Sequence, residues 1–284
     1  MEFKTLKGIS TKEITQVFNE AFSDYFIPLN FTEEQLKSKM VADKTDLSLS
    51  VGVFEKGNLV AFILHGFDII DNQKMVYNGG TGVVHEKRGA GLTKQMYQYI
   101  IPLLIVNGID RIILEVIDKN IQAIKSYEKS GFKTKRHLAC YKGKIEISNT
   151  NANVEIKELK NYNWQLMESF WDVSPTWQNS IPVVNEIIST NASLGAYVKN
   201  QLVGYVIYNP NNNRIQQIAV QKGYRNKRIA STLIVKLKER FGNKLSIINV
   251  DKRSSAVNDF FNKIGLKNSL EQIEMEMILG NDNQ

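Results

Sequence analysis

The chain has 284 residues, 43% hydrophobic and 23% charged, with 18 Gly, 5 Pro, three His and one Cys. That mixture fits one large globular domain or two of about 140 residues, and excludes collagen-like, mucin-like and wholly disordered chains. The net charge of +7 is shared between the halves, 20 basic against 17 acidic residues up to Thr150 and 16 against 12 beyond it. Neither half carries the basic cluster with interleaved aromatics that nucleic-acid binding calls for, whereas a small anionic ligand stays open. The lone Cys140 forms no intrachain disulfide and anchors no thiolate zinc site, so a reducing compartment is expected.

The opening MEFKTLKGISTKE is polar, which argues against a secretory leader, and the longest apolar stretch, Ile100 to Val106, contains Pro102. It falls far short of the roughly 20 residues of a bilayer crossing. A soluble, cytoplasmic protein without a membrane partner is the expectation, and the oligomeric state is not legible. Helical patterns follow over Lys12 to Phe22 and Thr32 to Met40, the second opened by Thr32-Glu-Glu-Gln35, a capping-box spacing that starts a helix at Glu33. Val51 to Leu64 is two alternating apolar runs joined by Glu55-Lys-Gly-Asn58, a β-hairpin. Next come a strand from Lys74 to Val84, a basic glycine-containing loop opening a helix, a strand from Arg111 to Ile117, and a helix closing at Gly131.

The same order then recurs. Helical stretches at Trp164 to Phe170 and Pro182 to Ile188 precede a hairpin at Leu194 to Ile207. After it come a strand from Arg214 to Val220, a basic loop and helix, a strand from Leu245 to Val250 and a helix closing at Gly265. The polar, Asn-rich segment from Gly143 to Asn153 lies between the copies. Two copies of one α/β unit, 1–150 and 151–284, are predicted, with the boundary near 150.

The segment Val83-Val84-His-Glu-Lys-Arg88-Gly89-Ala90-Gly91-Leu92-Thr93 carries the first chemical signal. Strand, glycine turn and helix start together bring backbone N–H groups to bear on an anion, with Gly89 and Gly91 allowing close approach and Arg88 available to the ligand. Alone, the loop is compatible with a plain turn. It lacks the third glycine of a dinucleotide fingerprint and the Gly-Lys-Ser/Thr of a nucleoside-triphosphate loop. On the following strand Ile113, Glu115 and Ile117 share one face, so Glu115 is either a cleft carboxylate suited to accept a proton or an edge residue in water. Asn120 is placed to cap the next helix, where Tyr127 is either a core aromatic or a reactive hydroxyl. His65, His85 and His137 are scattered without ligand spacing, so no metal site is expected, and Cys140 and His137 fall on opposite faces of a strand, which argues against a Cys–His nucleophile.

Arg88-Gly-Ala-Gly91-Leu-Thr93 together with Asn120-Ile-Gln-Ala-Ile-Lys-Ser-Tyr127-Glu-Lys-Ser-Gly131-Phe resembles the acetyl-coenzyme A-dependent N-acyltransferase superfamily, GNAT. Arg88, Gly91 and Thr93 fill that family's loop pattern, Thr93 being a departure from its usual Gly or Ala. The resemblance implies an α/β fold of two GNAT-like domains, each a mixed, mostly antiparallel twisted sheet with helices on both faces. It also implies acetyl-CoA as cofactor. The amides of Arg88, Gly89, Ala90, Gly91, Leu92 and Thr93 would hold the diphosphate, and Val83 and Val84 would pair with the pantetheine arm. Asn120 would contact that arm, and Tyr127 would protonate the leaving thiolate. Glu115 is the first candidate, and Asp118 a weaker one, for the base that frees a primary amine of a small molecule or peptide for direct attack.

The second copy keeps Arg225 and Ala230 of the loop but carries Arg228 in place of the central glycine, and Phe261 and Ser254 fall where Tyr127 and Asn120 do. A phenyl ring donates no proton, so this half is expected to be slow or silent, and the alternative reading for it is an acyl-CoA-binding or protein-interaction module. Phe18, Phe22, Tyr25 and Phe26 are compatible with a substrate wall or a buried helix face, as are Trp171 and Trp177 with core packing.

Overall fold

A computed structural model describes residues 1–26 and 29–280, and divides the chain into two compact units. The first is Met1–Lys135 together with the C-terminal stretch from Ile273; the second is Arg136–Gln272. Among the described residues no helix is long and apolar enough to cross a membrane.

In the first unit the strands β1 (Glu2–Thr5), β2 (Val51–Glu55), β3 (Asn58–Ile70) and β4 (Gln73–Val83) are successive antiparallel neighbours. β4 then lies parallel to β5 (Arg111–Ile117), and the part of the last strand from Ile273 is next in order. Helix α1 (Thr11–Ala21) begins where the Ser10 hydroxyl accepts the Glu13 N–H at 3.2 Å, and buries Ile14, Val17, Phe18 and Ala21, one helical face. Helix α2 (Glu33–Ala42) starts as the capping box predicts, with both reciprocal Thr32–Gln35 bonds made. Phe18 and Leu36 from these helices share a core with Phe54, Phe62 and Leu64 on one sheet face. On the other face, α3 (Leu92–Val106) and α4 (Ile121–Lys129) bring Met96, Tyr97, Ile100 and Tyr127 against Ile63, Val76, Ile112 and Leu114.

The second unit repeats this plan. Its sheet runs from the first part of β12 (Leu266–Ile278) through β6 (Lys133–Lys144), β11 (Lys244–Asp251), β10 (Arg214–Val220), β9 (Gln201–Asn209) and β8 (Ala192–Val198) to β7 (Glu155–Glu158). The β10–β11 pair is parallel and the paired neighbours on either side are antiparallel. Helices α7 (Ile229–Phe241) and α8 (Ser255–Lys263) cover one face, while α5 (Trp164–Glu168) and α6 (Ile181–Glu186) contribute Met167 and Val184 to the core on the other.

The two compact units divide after Lys135. Tyr141 and Ile145 pack with Leu233 and Phe261 of the second unit. Conversely, Met275, Met277 and Leu279 are buried in the first unit's core, Arg111 pairs with Glu276 at 3.3 Å, and the Leu279 N–H donates to the Asp110 carbonyl at 2.7 Å. The polar composition at 143–153 marks a surface crossing, whereas compactness follows buried side chains.

Candidate active site

β4 and β5 hold together through three paired positions, Met75–Arg111, Val76–Ile112 and Tyr77–Ile113, and pair no further. Just beyond Tyr77 the β3–β4 register shifts, so that His65 faces Asn78, Leu64 faces Gly80, and Gly79 is the extra residue of a β-bulge. A Cβ on Gly79 would sit 2.8 Å from Asp43 Oδ2, which is why glycine occupies the kink. The stretch from Gly80 to Val83 therefore keeps β3 on one edge and opens a slot towards β5 on the other.

The strand end leads into the loop. Val84 is buried, a single 3-10 turn covers His85–Lys87, and Gly89 and Gly91 adopt φ of +80° and +71°, Gly91 capping α3. The first intrahelical bond runs from the Gln95 N–H to the Gly91 carbonyl at 3.2 Å, so the amides of Leu92, Thr93 and Lys94 open the helix without an intrahelical acceptor. The Gln95 side chain donates to the Ala90 carbonyl at 2.9 Å and steadies the turn. Such an N-terminus attracts a diphosphate.

The Arg88 side chain has a different task from the one its sequence position implied. Its guanidinium grips the Asp24 carboxylate with two bonds of 2.6 and 2.7 Å and donates to the carbonyls of Ala21 at 2.8 Å and Val83 at 3.3 Å. The guanidinium beside Asp24 holds that carboxyl down at about 2. The second unit builds the same clamp: Arg225 donates to Asp172 at 2.7 Å and to the carbonyls of Phe170 and Val220 at 2.8 and 3.1 Å. The arginine ties the strand end to the end of the preceding helical segment. The recurrence of Phe-x-Asp, at Phe22–Asp24 and Phe170–Asp172, is the sequence signal that marks it.

Tyr127 lies in the α3–α4 core, 9% exposed, edge-on to Tyr97 and Phe132. Burial pushes its hydroxyl up to about 12, while the side chains of Thr81 and Asn78, at the slot on β4, approach it and pull the other way. Asn120 caps α4 as expected, its Oδ1 accepting the Ala123 N–H at 3.1 Å, and its side chain also meets the Tyr25 hydroxyl. Glu115 stands two residues past the last β4–β5 pair, half-buried, with both carboxylate oxygens out of solvent. By strand alternation its side chain leaves the sheet on the face opposite Leu114 and Val116, which pack with Tyr127. Tyr127 and Glu115 thus lie on opposite faces of the sheet, Glu115 on the part of β5 beyond its pairing with β4. Phe18 belongs to the core, stacked on Phe22 at 4.5 Å, and the aromatic series continues through Tyr25 to Phe26, which is 58% exposed.

The second unit retains the backbone and changes the side chains. β10 bulges at Gln216 and parts from β11 after Ile215–Ile247, and Arg228 caps α7 at φ +58°. Ser254 begins α8 with no side-chain cap bond, and Phe261 is fully buried. The strand pairing puts Ile248 where the first unit has Glu115. A cleft of about 450 Å³ opens here, lined by Val220, Arg228, Ser231, Asn249, Ser254 and Phe260 among others. Trp171 lines it too, its indole N–H donating to the Tyr205 hydroxyl at 2.6 Å, whereas Trp177 is core.

Comparisons with known proteins fit this architecture. Residues 12–132 match the acetyltransferase (GNAT) family profile and residues 168–280 the acetyltransferase (GNAT) domain profile. No curated protein matches the sequence. Among solved structures, a GCN5-related N-acetyltransferase from Sphaerobacter thermophilus superposes with a TM-score of 0.73 at 12% identity, covering 98% of this chain and 95% of its own. A putative acetyltransferase from Pyrococcus horikoshii gives 0.69 at 13% identity, with 98% and 89% covered. A tandem GNAT protein from the clavulanic acid biosynthesis pathway gives 0.69 at 10% identity, with 99% of both chains covered. At these identities the structures testify to the fold, and the two profile matches, one in each half, carry the family: the chain belongs to the GNAT acetyltransferase superfamily, as a tandem protein of two GNAT domains.

Proposed function

We propose that the protein is an acetyl-CoA-dependent N-acetyltransferase whose chemistry belongs to the first unit and whose acceptor is a primary amine of a small molecule or peptide. The observation that carries this reading is the buried Tyr127 hydroxyl beside Thr81 on the strand that splays from β5 and runs into the Gly91-capped helix. Acetyl-CoA supplies the activated acetyl group, as a thioester. The residues fit it: the open amides of Leu92 to Lys94 and the positive-φ turn at Gly89 and Gly91 suit a diphosphate, and the free edge of Gly80 to Val83 offers backbone groups to an amide-bearing arm and an N–H to a developing oxyanion.

Glu115, on the other face, takes the proton that the attacking ammonium must lose. At about 12, Tyr127 stays protonated throughout the physiological range, and it is a weaker acid than an ordinary thiol at about 8.5. Its first contribution is therefore a hydrogen bond from Oη to the leaving sulfur as charge builds there. Full transfer of the proton requires that the sulfur be equally desolvated, which the same apolar surroundings provide.

The test is acceptor-dependent release of free thiol from acetyl-CoA across a panel of amines. Turnover should appear with at least one amine and fall about a hundredfold or more in Tyr127→Phe, the scale of a lost acid, while coenzyme A affinity persists. Equal turnover in wild type and variant would remove Tyr127 from the reaction.

The cleft of the second unit favours a second reading for that half, a non-catalytic acyl-CoA-binding module: it is open, but Phe261 and Ile248 stand in the acid and base positions. Calorimetry giving two coenzyme A sites per chain, one surviving loop substitutions in the first unit, would support it.

A further inference from the structure

Around Tyr127 lies a small buried hydrogen-bond array that the reaction as described does not use. Asn78, 5% exposed, accepts the Gly80 N–H on Oδ1 at 3.0 Å. A backbone donor at that position settles which end of the side-chain amide is oxygen. The Nδ2 group then has two protons, and both are given away, one to the Tyr97 hydroxyl and one to the Thr81 hydroxyl, each at 2.8 Å. Thr81 Oγ1, having accepted from Asn78, retains its own proton; Thr81 and Asn78 both act on the Tyr127 hydroxyl, and the Tyr127 ring lies edge-on to Tyr97, the array's third member, with centroids 6.5 Å apart. A phenol oxygen that accepts from Thr81 has its own hydrogen free to point into the slot.

The second unit provides an internal control. Matching Arg88 with Arg225 and Gly91 with Arg228 sets Ile215, Ile218 and Ile234 at the positions of Asn78, Thr81 and Tyr97, and counting back from Gly265 sets Phe261 at Tyr127. All four polar residues are replaced by hydrocarbon together, although the bulge, the splay and the αL-capped helix remain. A group that vanishes as a set behaves as a unit.

We propose that Asn78, Thr81 and Tyr97 are positioning residues that orient the Tyr127 hydroxyl, Asn78 donating to Thr81 and Thr81 donating to the Tyr127 oxygen, so that the phenol proton is aimed at the sulfur of the bound thioester. The inference rests on the reading of Tyr127 as the donor to that sulfur. In the step it serves, the neutral amine nitrogen bonds to the acetyl carbon and gives up one proton to solvent, the carbon–sulfur pair leaves with sulfur, and the Tyr127 proton goes to it. The phenolate that remains is held by the Thr81 hydrogen bond until it is reprotonated from solvent. The array orients a proton and does not conduct one.

The experiment compares Thr81→Val, which keeps the shape and loses the hydroxyl, with Thr81→Ser, which restores it, in wild-type and Tyr127→Phe backgrounds. In the ligand-free protein labelled with [13Cζ]tyrosine, the Tyr127 resonance, assigned by its loss in Tyr127→Phe, should move in Thr81→Val and return in Thr81→Ser. With acetyl-CoA and an active amine, Thr81→Val should lower kcat about tenfold, or about 1.4 kcal/mol, without raising KM for acetyl-CoA. It should cost less than about twofold when Tyr127 is already Phe. An unmoved resonance, an unchanged kcat, or the same loss in both backgrounds overturns the proposal. Wild-type turnover in Tyr127→Phe overturns instead the reading beneath it, and the two failures are told apart by that one variant.

Discussion

His65 lends itself to a quantitative test of how dry this face of the first unit is. It is fully buried on β3 beside Tyr97, with ring centroids 6.1 Å apart. Its Nδ1 lies 2.8 Å from the Leu49 carbonyl, which only accepts, so Nδ1 carries the hydrogen and the neutral ring leaves Nε2 as an acceptor without a partner among the described residues. Charging the ring would place a proton on Nε2 with nothing to receive it. Desolvation accordingly lowers the imidazole from 6.5 to about 4, despite the help of the Leu49 carbonyl. A base whose folded pKa is depressed binds fewer protons in the native state, so stability is fully present above the unfolded value and is lost as pH falls between 6.5 and 4. From pH 7.5 to pH 5 that linkage amounts to about 2 kcal/mol. Urea unfolding of the wild type and of His65→Asn, which keeps a donor for Leu49 and cannot titrate, isolates it. The wild type should lose about 2 kcal/mol more than the variant over that interval. Parallel pH dependences would show that His65 is solvated or partnered in solution, and the dry core argued for Tyr127 would go with it.

Glu115→Gln should slow acetyl transfer at neutral pH, with the deficit shrinking as pH rises and the amine deprotonates unaided; a pH-independent deficit would mean a structural role. Gly91→Ala should destabilise the first unit by about 1 kcal/mol, since an added Cβ meets only Gln95 Nε2 at 3.9 Å and the cost is that of the αL backbone. Arg228→Gly should stabilise the second unit by a similar amount, helped by removal of a cation from a helix N-terminus, and urea denaturation reads both. A fragment of residues 1–150 should fail to give the dispersed amide NMR spectrum of a folded domain, because Met275, Met277 and Leu279 complete its core; a stable fragment would restore a boundary near 150.

What the sequence made legible was local. The hairpins, the capping box at Thr32–Gln35 and the helix stops at Gly131 and Gly265, with φ of +104° and +99°, depend on residues a few positions apart, where periodicity and φ restrictions act directly. The return of the last strand to the first unit was hidden, since nothing local distinguishes a strand that pairs with β5 from one that stays among its sequence neighbours. The Asp24–Arg88 clamp spans 64 positions and the Asn78–Tyr97 bond 19. Such partners are chosen by the fold, and only repetition exposes them, as Phe-x-Asp does for the clamp.

Repetition also separates what the backbone needs from what the chemistry needs. The second unit maintains an arginine at +58° in its loop, a conformation that costs a non-glycine residue about 1–2 kcal/mol. It also retains the Arg225–Asp172 clamp, and an open cleft at the splay. Had this half persisted only as packing for its own core, substitutions relaxing the loop into ordinary φ and filling the cleft would have met no resistance. The bulge, the splay and the αL-capped helix are kept while Phe261, Ile218, Ile215, Ile234 and Ile248 stand at the positions of Tyr127, Thr81, Asn78, Tyr97 and Glu115. Shape kept at an energetic cost without those polar groups is the ground for proposing that the second half binds a ligand without turning it over, the reading that two-site calorimetry tests, and for proposing acetyl transfer in the unit in which Tyr127, Thr81 and Asn78 occur together.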